Sequence, residues 1–188
     1  MPKYLLSFLF IIFILPAVFA FDGIAIGPYY GYSIPVGNMW VKPGPDFGLQ
    51  VRASVISFLG VGAYYSSRAY GDVELVYFEG EPYEWTDYLD GGNVTSFGMK
   101  LYLGKTGEAG LNYFALGGIS SHKWKRDYSN EDSKIAYSLG FGLEYVLPMN
   151  LGIEGRGIFE AASAGHKAMW RSAIMSVGVN YHFKFGPM

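Results

Sequence analysis

From Ile24 onward the chain alternates apolar with small or polar residues at a period of two, in eight separate segments. They run over residues 24–34, 47–55, 58–68, 94–103, 111–122, 135–145, 151–160 and 173–185. In the sixth, Ile135, Tyr137, Leu139, Phe141, Leu143 and Tyr145 alternate with Ala136, Ser138, Gly140, Gly142 and Glu144. Strict alternation places one set of side chains on each face of a strand, so each segment predicts a half-buried β-strand.

Length and the character of the two faces separate the possible sheets. Most segments span about 9–13 residues, close to what a tilted strand needs to cross a bilayer, whereas strands of water-soluble domains are usually about 5–6 residues long. One face is continuously apolar, with Tyr and Phe near the strand ends. The other is mostly Gly, Ser and charge, exemplified by Gly48, Gln50, Arg52 and Ser54. A small barrel in lipid needs that arrangement: an apolar exterior with aromatic girdles, and a cramped interior where small residues make room for large ones. Closure also satisfies every strand backbone group, which lipid demands. A lipocalin-like barrel would turn the faces the other way.

The connections add an independent signal. Long ones, around 35–45, 69–92, 123–134 and 161–171, alternate with tight ones at Ile56-Ser57, Gly104–Gly110 and Pro148–Asn150. Extracellular loops and periplasmic turns differ in this way. The expected fold is therefore all-β, an eight-stranded antiparallel up-and-down transmembrane β-barrel with both ends of the chain on the periplasmic side.

Residues 1–20 stand outside this pattern. Lys3 precedes an apolar run from Tyr4 to Leu15, and Ala17-Val18-Phe19-Ala20 supplies small residues for cleavage after Ala20. A cleaved signal peptide over 1–20 is expected, with the barrel domain over 21–188. The apolar run is short for a spanning helix, which needs roughly 20 residues. No Cys follows the cleavage point, so a lipid anchor there is not expected. The chain has 188 residues, 26 of them Gly, is 51% hydrophobic and 18% aromatic, and carries a formal charge of −2. That balance disfavours disorder and lacks the basic surface that nucleic acid requires. Without Cys there is no disulfide framework and no thiolate metal site. No cofactor is expected.

The last strand carries Ser176-x-Gly178-x-x-Tyr181-x-Phe183. This resembles the C-terminal signal by which the barrel-assembly machinery recognises its substrates. With the strand count and leader, the chain resembles the small outer-membrane β-barrel superfamily of Gram-negative bacteria, the group of the OmpA transmembrane domain and OmpX-type proteins. The resemblance covers about residues 21–188. It implies a monomeric barrel in the outer membrane, in contact with lipid and lipopolysaccharide, and no periplasmic peptidoglycan-binding domain is expected after the eighth strand.

Alternation also assigns inward charges. Arg52, Lys100, Glu144, Glu154 and Arg156 all fall on the polar face, mostly a few residues above a short turn. With the 148–150 turn as centre, Glu144 falls opposite Glu154. Like charges so placed repel, so neighbouring Arg or Lys must offset them. These five residues are expected to form an ionic layer that plugs the lumen, with Arg156 just above it. A structural network is favoured over a gate or proton relay, because an eight-stranded barrel is only wide enough for its own side chains.

Candidates for chemistry are few. His122, His166 and His182 are the only histidines, with Ser120 and Ser121 beside the first and Ser163 near the second. A lipid A acylase or deacylase would need Ser, His and an acid in register, and adjacency in sequence does not supply that. His182 is expected to fill the lumen. The connection 71–92 holds seven acids and no Lys or Arg, with Tyr77, Phe78, Tyr83, Trp85 and Tyr88 among them. It suits an adhesive surface loop or a solvated one, and matches no EF-hand spacing. The connection 123–134 mixes Lys123, Lys125 and Arg126 with Asp127, Glu131 and Asp132, and its bases could meet lipopolysaccharide phosphates. The function expected is a non-enzymatic surface barrel with a structural or adhesive role. The alternatives are a lipid-modifying enzyme and a narrow channel for apolar solutes past Phe114 and Leu116.

Overall fold

The structure, a computed structural model, describes residues 23–37, 41–77, 85–89, 91–126, 129–163 and 169–185. Residues 1–20, read above as a signal peptide, and His166 lie outside the described residues.

Eight strands form a closed antiparallel barrel: β1 (Gly23–Pro35), β2 (Gly44–Ile56), β3 (Leu59–Ala69), β6 (Asn93–Lys105), β7 (Gly110–Arg126), β8 (Ser129–Val146), β9 (Leu151–Ser163) and β10 (Met169–Lys184). Each pairs with its neighbours in the chain, and β1 pairs with β10 to close the wall. A separate hairpin, β4 (Val73–Tyr77) with β5 (Trp85–Leu89), lies within the long connection between β3 and β6.

The faces divide as alternation requires. Leu139 and Phe141 on β8 are 71% and 70% exposed, while Ser138 and Glu144 on the same strand are buried. Arg52, Arg68, Lys100 and Arg156 lie inside with Asp46, Glu144, Glu154 and Glu160, so among the described residues inward Arg and Lys match inward carboxylates in number. An apolar exterior around a charged interior inverts a water-soluble protein. It fits lipid, where each Arg or Lys left on the outside at mid-depth costs about 2–4 kcal/mol.

The short ends are built by residues that tolerate unusual backbone. The β6–β7 turn uses Gly104, Gly107 and Gly110 at φ of 137°, 80° and 87°. The β8–β9 turn places Asn150 at φ 64°, a conformation Asn adopts more readily than most residues. Asn150 also accepts a hydrogen bond from the His182 amide at 2.8 Å, tying the turn to β10.

The structure departs from the sequence reading on the extracellular side. The charged stretch 123–134, expected as a loop, is mostly strand: β7 runs to Arg126 and β8 starts at Ser129, with Trp124 opposite Asp132. The outward positions of β7 past Ser121 are Lys123 and Lys125, so the apolar half of the alternation disappears there while the hydrogen-bond ladder continues.

Candidate functional site

The lumen gathers nearly all buried polar groups of the described chain, and it is organised in two clusters. The lower one lies toward the short turns. The register sets Glu144 of β8 directly opposite Glu154 of β9. Arg52 reaches across from β2 and satisfies both: Nη2 donates to Glu144 Oε2, and Nη1 donates to Glu154 Oε2 at 3.1 Å. Asn180 of β10 donates through Nδ2 to Glu144 Oε1 and Glu154 Oε2, both at 2.8 Å. Its Oδ1 accepts from Gln50 Nε2 at 2.9 Å, so both N–H groups and the carbonyl oxygen are engaged. Arg156 donates from Nη1 to Gln50 Oε1, and its Nε forms an ion pair with Glu154 Oε1 at 2.9 Å. His182 Nε2 meets Glu144 Oε1 at 3.0 Å.

Of the inward charges expected from sequence, Arg52, Glu144, Glu154 and Arg156 are thus in one cluster. Arg156, expected just above the layer, joins the cluster through its ion pair with Glu154. Lys100 is elsewhere. It is buried, but its Nζ sits 3.9 Å from the centre of the Tyr64 ring, and no described carboxylate lies within ion-pair distance. The single layer that includes Lys100 is corrected in this respect. Lys100 projects from β6, on the opposite side of β3 from Arg52, and a neighbouring aromatic face takes its ammonium group.

An upper cluster was not assembled from sequence. Arg68 of β3 donates from Nη1 to Glu160 Oε1 and from Nη2 to Glu160 Oε2 at 3.3 Å, while its Nε donates to Asp46 Oδ1 at 3.3 Å. His122 Nε2 lies 3.4 Å from Glu160 Oε2 and 3.0 Å from Ser120 Oγ. The signal was available: Arg68, Glu160 and His122 all occupy inward positions of their alternating segments, and Asp46 continues the inward parity of β2 by one step.

Ser120, His122 and Glu160 are the residue types of a hydrolytic triad, but their geometry is not one. A relay needs the nucleophile on one imidazole nitrogen and the acid on the other. Here both contacts fall on Nε2. All three side chains are buried in the lumen, away from the lipid-facing wall. Ser121 points outward and shares a hydrogen bond with Ser133 at 2.7 Å.

Apolar groups fill the remaining cross-section. Tyr102, Phe114, Leu116, Ile158 and Ile174 pack together inside the wall. Arg52 stacks near Tyr102 and Phe114, its guanidinium carbon 5.3 and 5.1 Å from the ring centres. The small residues match the large: a Cβ built on Gly142 would lie 2.4 Å from the Phe114 ring. At the extracellular mouth, Val41, Tyr70, Val94, Ala136, Ala162 and Trp170 pack with Trp124. The Trp124 and Trp170 ring centres are 3.7 Å apart. Tyr70 Oη shares a hydrogen bond with Ser33 at 2.6 Å, and Trp124 Nε1 donates to the Gly91 carbonyl at 3.2 Å. The mouth is therefore capped by aromatic rings tied to the loop roots.

On β10, Ser176 points into the lumen, Gly178 faces Tyr29, and Tyr181 and Phe183 are exposed on the outer wall with ring centres 4.8 Å apart.

No protein-family model and no curated protein matches the chain. Solved structures do. Neisserial surface protein A is 10% identical, with 86% of this chain and 97% of that one covered at a TM-score of 0.59. The N-terminal β-barrel domain of Pseudomonas aeruginosa OprF is 15% identical, with 85% and 98% covered at a TM-score of 0.50. The closed barrel and these likenesses agree: the chain has the fold of the small eight-stranded outer-membrane β-barrels.

Proposed function

We propose that the chain is an integral outer-membrane barrel with a sealed lumen, acting as a structural or surface-interaction protein through its extracellular loops. The observation that carries this reading is the filled lumen. Two ionic clusters, apolar packing beside them and an aromatic cap at the mouth fill the interior. The side chains named above as a route for apolar solutes, Phe114 and Leu116, are buried in contact with their neighbours. With the interior committed to packing, variable chemistry is left to the loops. The acidic, aromatic connection 71–92 and the basic residues of the β7–β8 hairpin are the parts that offer it.

In this reading, residues 1–20 direct export and are removed. Ser176, Gly178, Tyr181 and Phe183 present the chain to the barrel-assembly machinery. Lipid and lipopolysaccharide are the permanent partners, with Lys123 and Lys125 exposed just above the apolar band of β7 as contacts for phosphate. The barrel works as a monomer. Lipid modification is the less supported reading, since His122 meets Ser120 and Glu160 through one nitrogen.

The test is conductance of the refolded protein in planar bilayers. A sealed lumen gives no steady current, and Arg52→Ala with Arg68→Ala raises it. Open-porin conductance from the unaltered protein would refute the reading. Deletion of 72–90 tests the loop role: loss of binding to host-cell or matrix surfaces, with the barrel still folded, is the expected result.

A further inference from the structure

Seven of the eight seams in the wall have an unbroken register through their middle, with irregularities only at 54–56 beside a turn and at 124–126 near the hairpin tip. The β1–β10 seam differs. Its register runs Gly23↔Lys184 to Ile26↔Tyr181, stops, and resumes at Tyr29↔Gly178. The missing rungs are those of Gly27 and Pro28 with Asn180 and Val179. Pro28 faces the lipid, near the middle of the strand.

Proline has no N–H to give, and in sheets it is confined to edges, first positions or bulges. A closed barrel has no edge, so one seam must carry the defect. The pairing of β1 with β2 continues without interruption through Gly27↔Gln50 and Pro28↔Leu49, so the missing donor faces β10. The residue before it completes the device. A Cβ built on Gly27 would lie 1.8 Å from the Val179 carbonyl oxygen and 2.7 Å from Asn180 Oδ1. A side chain at position 27 would collide with the Val179 carbonyl, so the residue before the proline must be glycine. In lipid no water is present to take the lost donor's place.

We propose that Gly27-Pro28 is a built-in breach in the β1–β10 seam, and that the barrel opens first and closes last along this line. The same seam joins the two ends of the chain, so its closure spans the longest loop and carries the largest loop-closure entropy. The topological cost and the missing rungs fall on one line, while every other seam is formed between neighbouring strands joined by a connection.

The experiment is amide hydrogen exchange of the folded protein in micelles, followed by unfolding kinetics of variants. Amides of Val179 and Tyr181 should exchange at least ten-fold faster than those of Leu143 and Gly155, which are paired across the unbroken β8–β9 seam. Pro28→Val restores a donor and should slow both that exchange and urea-induced unfolding several-fold. A disulfide between Ile26→Cys and Tyr181→Cys should slow unfolding far more than one between Leu143→Cys and Gly155→Cys. Equal exchange at the two seams, an unchanged unfolding rate in Pro28→Val, or equal effects of the two disulfides would each overturn the proposal. The disulfide comparison remains decisive if Pro28→Val does not fold.

Discussion

Replacing Arg52 with Met keeps an unbranched apolar stem and removes the guanidinium group, with its charge and donors. In the intact protein Arg52 bridges two carboxylates that the β8–β9 register forces together, Glu144 and Glu154, each almost wholly buried. Asn180 still donates to both acids, but an amide carries no charge. Breaking a buried pair by removing one partner costs about 3–5 kcal/mol, roughly a hundred- to several-thousand-fold in the folding equilibrium. Glu144 then keeps no guanidinium partner, while Glu154 retains its ion pair with Arg156, so the lower part of that range is expected. The assay is equilibrium urea unfolding in vesicles, read by Trp fluorescence and gel mobility. The double variant Arg52→Met, Glu144→Gln removes one charge of each sign and leaves Glu154 with Arg156, and so separates charge from packing. Glutamine keeps an acceptor for Asn180, so the double variant should recover most of the loss. A cost below about 1 kcal/mol for Arg52→Met, the level of a screened surface pair, would refute the reasoning. So would a double variant no more stable than the single one.

Other positions test other parts of the account. Gly142→Val should destabilise by about 1–3 kcal/mol through overpacking against Phe114, while Gly155→Val, where a Cβ meets nothing within 4 Å, should be close to neutral in the same unfolding assay. Leu139→Arg, on the lipid-facing wall, should cost about 2–4 kcal/mol, measured by urea unfolding in vesicles; a neutral result would place that face in water. Ser120→Ala and His122→Gln should leave the lipid A mass spectrum of the host cell unchanged, since these side chains are structural; an altered acylation pattern would restore the enzymatic reading.

The period-two pattern made the wall and its two faces legible, because lipid outside and a narrow lumen inside impose opposite demands on successive residues. The tight Pro148–Asn150 turn also made one register legible, and with it the facing pair Glu144 and Glu154. What alternation does not encode is contact across the lumen. Arg52 meets strands far from it in the wall order, and that depends on barrel closure and strand stagger rather than on any local pattern. Lys100 shows the same limit: its inward parity was readable, its partner was not, because a Tyr64 ring and a carboxylate are equally available to an inward lysine. The upper cluster was within reach, since Arg68, His122 and Glu160 share inward parity, but it sits where the segments approach loops. The extension of β7 and β8 past Lys123 was hidden by the loss of apolar residues above the lipid. Pro28 was visible from the outset, whereas the seam that carries its defect needed the register.

The central claim is that this chain is a closed barrel of the outer membrane with its apolar face in lipid. Gel migration of the protein extracted from purified outer membranes, compared cold and after boiling, tests it most directly. The account predicts a protein confined to that fraction which runs as a compact folded species when cold and shifts on boiling. A soluble periplasmic protein with no heat-dependent shift would contradict it.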